Sequence, residues 1–142
     1  MKQPYISPSK SDSWTTPGWL FLLLDWTFKF TCDVASSDEN CLVEQHFTES
    51  DDALSLPWSG RCFCNPPYSE LGKWIAKAAN EVKLGHAELV VLLIPSRTDT
   101  KAWHEHIFNQ ANVSVHFIAG RLRFGEGTAP APFPSAIIVF NR

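Results

Sequence analysis

The chain lacks any apolar run near the ~20 residues a helix needs to cross a bilayer, and its start, Met1-Lys2-Gln3-Pro4, has no hydrophobic stretch of the kind a secretion signal carries. A cytoplasmic location with no membrane partner is the expectation. CxxC pairs are absent too: the four cysteines are Cys32, Cys41, Cys62 and Cys64. A zinc site drawing on His46 or the His104/His106 pair has poor spacing, so free buried thiols and no metal are expected. There is no internal repeat. Excess positive charge is missing as well, since the net charge of −3 argues against tight nonspecific binding to a polyanion. That total hides an asymmetry. Residues 1–60 hold three basic and nine acidic side chains, whereas residues 61–142 hold nine basic and six acidic ones, so a polyanion would meet the second part.

What is present describes one ordinary globule: 142 residues, 44% hydrophobic and 19% charged, enough for a single core. Residues 1–13 are polar and read as a flexible arm. Thr16 is placed to cap a helix with Pro17 at its first position, and the apolar run Trp19 to Phe28 reads as that helix, packed on most of its faces. Phe30 to Val34 reads as a buried strand, followed by irregular polar chain over 36–58. Arg61 to Cys64 is the next strand. Leu71 to Leu84 carries Trp74, Ile75, Ala78 and Val82 at helical spacing, with Gly85 set to stop it. Glu88 to Ile94 is a buried strand ending at Pro95, and Thr100 to Asn109 reads as a further helix. Val113 to Ala119 and Ser135 to Phe140 are the last strands, joined by the loop 125–134. Alternating strands and helices predict an α/β fold, with a mainly parallel sheet covered on both faces and an antiparallel terminal strand. In such sheets the chemistry sits beyond the carboxyl ends of the strands. Asp33, Asn65 to Tyr68, and Ser96-Arg97 all fall there.

The most informative residues are Asn65-Pro66-Pro67-Tyr68, set directly after a strand. Two prolines with fixed φ make a stiff turn. It offers an amide oxygen, a backbone carbonyl and a flat ring, a set suited to gripping a planar amine while something is added to its nitrogen.

These four residues match the (Asp/Asn)-Pro-Pro-(Tyr/Phe) motif of S-adenosylmethionine-dependent amino-methyltransferases. Others appear in a matching order: Asp12-Ser13-Trp14-Thr15-Thr16-Pro17, Phe30 to Ser36 with Asn40, Phe47-Thr48, Leu93 to Thr100, and Gly120 to Phe124. Together they resemble the small phage-type DNA adenine-N6 methyltransferases. The resemblance implies a compact Rossmann-like methyltransferase core over residues 14–142, with S-adenosylmethionine as cofactor and DNA as partner. It implies that Asn65, Pro66, Pro67 and Tyr68 are catalytic and that Trp14, Thr16, Pro17, Asp33 and Asp52 bind the donor. Tyr68 would contact the substrate, and Arg97, Arg121 and Arg123 would contact DNA phosphates or orient the donor's carboxylate. An adenine amine is a poor nucleophile because its lone pair is delocalised into the ring. Two acceptors, the Asn65 side-chain oxygen and the Pro66 carbonyl, would favour a pyramidal nitrogen, with Tyr68 stacked on the base. A duplex substrate would have to flip that base out. Cytosine N4, RNA adenine and protein glutamine are alternative acceptors, and a silent binding relative is the alternative from a different class. Asp33-Val34-Ala35-Ser36 stands where the wider superfamily has a Gly-rich loop, and no insertion is long enough for a target-recognition domain. Sequence specificity then falls to short loops, a partner or a homodimer, or else is weak.

Overall fold

The computed structural model describes residues 14–124 and 129–142. The arm expected over residues 1–13 lies outside the described residues, as do residues 125–128 of the expected loop. In chain order the elements are helix α1 (Gly18–Phe28), β1 (Cys32–Asp33), β2 (Gly60–Cys64), α2 (Leu71–Lys83), β3 (Ala87–Pro95), β4 (Val113–Phe117) and β5 (Ser135–Asn141). The strands form one sheet in the order β1-β2-β3-β5-β4. β1, β2 and β3 are parallel, and β5 runs antiparallel to both β3 and β4. Four strands therefore point one way and β5 alone points back. The expected antiparallel final strand is there, but inside the sheet. Its residues from Ser135 to Phe140 are all buried, whereas β4 is half-exposed and suits an edge.

Side chains alternate across each strand and sort into two layers. Cys32, Cys62, Cys64, Val90, Leu92, Ile94 and Ile138 meet Trp74, Ile75, Ala78 and Val82 of α2 on one face, joined by Trp103 and Ile107. Phe63, Val91, Leu93, Ile137 and Val139 meet Leu20, Phe21 and Leu24 of α1 on the other. Helices thus cover both faces. Trp58 is fully buried beside α2, its backbone N–H donating to Glu81 Oε1 at 2.7 Å and its indole to the Ala53 carbonyl at 3.0 Å. Burial alone would raise the Glu81 carboxyl, but the Trp58 N–H, His86 and Lys77 outweigh it and hold the group below its usual value.

Several expectations need correction. Thr16 does not cap α1; Pro17 is the capping residue, with no side-chain bond, and its carbonyl accepts the Leu20 and Phe21 N–H groups at 3.1 Å. The Thr16 hydroxyl has turned elsewhere, to Asn65. Nor is α1 packed on most faces: Trp19, Leu22, Leu23 and Trp26 stand 58–77% exposed, because the sheet reaches only one side of the helix. The strand expected over Phe30 to Val34 pairs as a ladder only at Cys32–Asp33. It is the sheet edge, and a single bridge from Asp33 to His46 covers its outer side. Thr100 to Asn109 is not one α-helix. Its core is a wide turn over Trp103–Ile107, closed by Phe108 N–H to the Trp103 carbonyl at 2.9 Å, and it ends where Asn109 takes φ 61°. Gly85 does stop α2, at φ 83°. Trp58 and Trp74 sit in the core, and Cys32, Cys62 and Cys64 are buried free thiols.

Candidate active site

β1, β2 and β3 all end at one edge of the sheet, which places Asp33, Asn65 and Ser96 side by side along it. Because β5 is reversed, its first residues arrive at that same edge, as does the chain leaving β4. Those segments bring Phe124 and Phe133 against the ring of Trp14, with centroids 5.5 and 5.2 Å away and nearly perpendicular. Tyr68 completes the cluster, near-parallel to Trp14 at 6.4 Å and edge-on to Phe133 at 5.4 Å.

The turn after β2 is held at both ends of the Asn65 amide. Its nitrogen donates to the Trp14 carbonyl and, at 2.9 Å, to the Thr16 hydroxyl. Its oxygen accepts the Tyr68 O–H at 3.0 Å. Pro66 and Tyr68 are buried. Burial pushes the Tyr68 phenol far above its usual value, Cys64 adds to this, and Arg97 opposes it only weakly, so Tyr68 stays protonated and donates. Burial likewise raises the Cys32 thiol to about 11 and Cys62 to about 12, and lifts Cys64 well above the normal range. None of them supplies a thiolate at neutral pH.

Two cavities flank this turn. The larger, about 920 Å³, is lined by Trp14, Thr16, Asp33, Asp52, Asn65 and Pro67 among others. The smaller, about 340 Å³, is lined by Tyr68, Arg97, Lys101 and Trp103, with the first turn of α2. Asn65 and Pro67 face one side and Tyr68 the other, so the turn is the partition between them. Of the expected site residues, Pro17 and Pro66 line neither cavity. Arg121 and Arg123 also line neither; they are exposed and alternate with buried Leu122 and Phe124. Arg121 donates to the Ala131 carbonyl at 3.4 Å.

Asp33 is only 2% exposed. One carboxylate oxygen accepts the Ala35 N–H at 3.3 Å and the other the Leu42 N–H at 3.1 Å, so the side chain pins the loop that walls the larger cavity. Burial raises its pKa to about 6, against the pull of those two N–H groups and His46. Asp51 is a turn cap, bonded to the Thr48 N–H at 2.7 Å, whereas its neighbour Asp52 sits at φ 58° and lines the cavity.

The sequence reading missed the rest of that wall: Asp38, Glu39, Glu49 and Glu70 also line the cavity. With Asp33 and Asp52 they make six carboxylates, and no Lys or Arg is among the described lining residues. The nine acids of the first sixty residues were the available signal for all of these but Glu70. Lys101 was missed too, and only its place four residues after Arg97 hinted at it. Among the described residues no cluster of His, Cys, Asp or Glu is set to hold a metal ion. No described helix is long and apolar enough to cross a membrane.

Over almost its full length (99%) the chain is 30% identical to a DNA N-6-adenine-methyltransferase of Haemophilus phage HP1, covering 85% of that protein. It is also 27% identical over 105 residues to a DNA N-6-adenine-methyltransferase of Escherichia phage T1, covering 43% of it. The family model described as DNA N-6-adenine-methyltransferase (Dam) matches residues 5–137, and the chain belongs to that family.

Proposed function

We propose that the protein transfers a methyl group from S-adenosylmethionine to the N6 amine of an adenine in DNA, and that residues 14–142 form one minimal, Rossmann-like methyltransferase domain. The observation that carries this reading is the Asn65–Tyr68 turn standing as a wall between two cavities. A donor on one side and a base on the other would meet at that wall.

The larger cavity suits the donor. Its volume lies within the ~300–1,000 Å³ range of small-molecule sites, and its carboxylate wall complements a ligand carrying both a sulfonium and an ammonium group. Trp14 offers a ring face for cation–π attraction. Asp33 keeps lone pairs beyond the two N–H bonds it accepts, and Asp52 reaches the same cavity, so both would take hydrogen bonds from hydroxyl or amine groups. Thr16 lines this cavity too, while Pro17 sets the path of the chain into α1. When bound, the donor supplies an already electrophilic methyl group.

The smaller cavity suits the acceptor. Tyr68 is buried here against Trp14 and Phe133, so a flipped adenine would have to uncover its ring to stack on it, a contact worth about 1–3 kcal/mol per stacked base. Asn65 lines the larger cavity, so the adenine amine would reach past Tyr68 to the seam between the two cavities, where the Asn65 oxygen, already accepting the Tyr68 O–H, has a second lone pair for one amine hydrogen. The Pro66 carbonyl, which lines neither cavity in this structure, would take the other at the same seam once the base is seated. Pro67 stiffens the turn so that these oxygens need not reorganise during reaction. Arg97, at the rim, and Arg121 and Arg123, on the loop beyond β4, would contact phosphates.

The test is direct. DNA from methylation-deficient cells expressing the protein is digested to nucleosides and analysed by mass spectrometry. N6-methyladenine is the expected product; N4-methylcytosine, or methyl groups found only in RNA or protein, would overturn the reading.

A further inference from the structure

We propose that Thr16 is a positioning residue for methyl transfer: with the Trp14 carbonyl, its hydroxyl fixes which end of the Asn65 amide faces the acceptor. This rests on the reading of Asn65 as acceptor and goes one step behind it. A carboxamide is nearly symmetric in shape, so rotating it by half a turn costs little sterically yet swaps an acceptor for two donors. Facing an amine whose hydrogens must be accepted, the swapped amide would repel the substrate. Something must hold the oxygen outward.

The geometry supplies that hold. Both Asn65 amide hydrogens have an acceptor on the segment leading into α1, the Trp14 carbonyl and the Thr16 Oγ1 at 2.9 Å. The remaining end is the oxygen, marked by the Tyr68 O–H at 3.0 Å. Thr16 is 8% exposed, so water does not readily replace it as acceptor. Its hydroxyl also forgoes the helix cap that a Thr before Pro at a helix start would offer, leaving α1 with no side-chain cap. Thr16 lies 49 residues before Asn65 in sequence, so the contact also ties the entry of α1 to the turn after β2.

The experiment compares Thr16→Val and Thr16→Ser with the parent and with Asn65→Ala. It uses methyl transfer to DNA at saturating donor, donor binding by calorimetry, and the side-chain amide resonances of asparagine-labelled protein. Thr16→Val keeps the shape and removes the acceptor. At saturating donor it should lower kcat about tenfold, the loss expected for one buried hydrogen bond, whatever its effect on donor Kd as a residue of the cavity wall, and move the Asn65 amide signals. Thr16→Ser should restore most of kcat and the parental amide signals. If the valine variant does not fold, Thr16→Ala carries the same readouts. Weakened donor binding with parental kcat at saturation would make Thr16 a donor contact and overturn the proposal, as would parental kcat with unchanged donor binding. Failure of the underlying reading looks different: there Asn65→Ala itself remains active.

Discussion

Replacing Asp33 with Asn tests how the wall of the larger cavity is held. Asp33 is nearly inaccessible, and burial raises its pKa from 3.8 to about 6. Well below pH 3.8 the folded and unfolded chains both keep this proton. As pH rises through the window from 3.8 to about 6, the unfolded chain loses the proton first, so stability is lost across that window and the loss is complete above it. A shift of about two units corresponds to about 3 kcal/mol. The Asn variant cannot ionise and has no such slope. It also turns an NH2 group toward one of the two N–H donors, from Ala35 or Leu42, at a cost of about 1–3 kcal/mol at any pH. Urea unfolding of both proteins from about pH 3.5 to 7.5 should show the parent's advantage over the variant shrinking by about 3 kcal/mol as pH rises. Titrating groups that do not feel Asp33 cancel in the difference; His46, which is coupled to it, is taken out by making both proteins in a His46→Gln background. A difference that stays flat across the window, or grows with pH, would refute the assignment of a buried, proton-holding Asp33.

Further outcomes follow from the same geometry. Tyr68→Phe keeps the ring but removes the O–H to Asn65, and should lower kcat by about threefold to tenfold; Tyr68→Ala, which also loses the stacking face, should raise the DNA KM by about tenfold or more in steady-state kinetics. Because six carboxylates line the donor cavity, calorimetry should show donor affinity weakening as sodium chloride rises, while the demethylated product, lacking the sulfonium charge, responds less. Arg121→Ala combined with Arg123→Ala should weaken DNA binding on all sequences alike and flatten the dependence of log Kd on log salt by about one to two units, measured by fluorescence anisotropy.

Much of the sheet is legible in the sequence because β3 and β5 are runs of aliphatic residues whose burial leaves no alternative. The carboxyl-end position of Ser96 follows from β3, and those of Asp33 and Asn65 from the shorter apolar runs that precede them. The edge strand was read too long, since Phe30 and Val34 are buried by α1 and the core without completing a ladder. Hydrophobicity alone cannot separate those cases. The face of α1 was misjudged for a related reason: a helix that is apolar around most of its circumference looks buried on every side, and only the folded sheet shows which side it reaches. Thr16 was read as a local cap because Thr-Pro is a strong helix-start pair. Its real partner lies 49 residues away, beyond any local pattern. The acidic wall is scattered from Asp33 to Glu70 along the sequence and converges only in the folded chain.

The central claim is that the Asn65 amide oxygen receives the target amine while the larger cavity holds the donor. Single-turnover transfer of labelled methyl to DNA by Asn65→Ala, run beside donor calorimetry on the same protein, tests it most directly. The account predicts transfer lowered by at least about a hundredfold, as when a preorganised catalytic hydrogen-bonding group is removed, with donor affinity near the parental value. Near-parental transfer by the variant would contradict it.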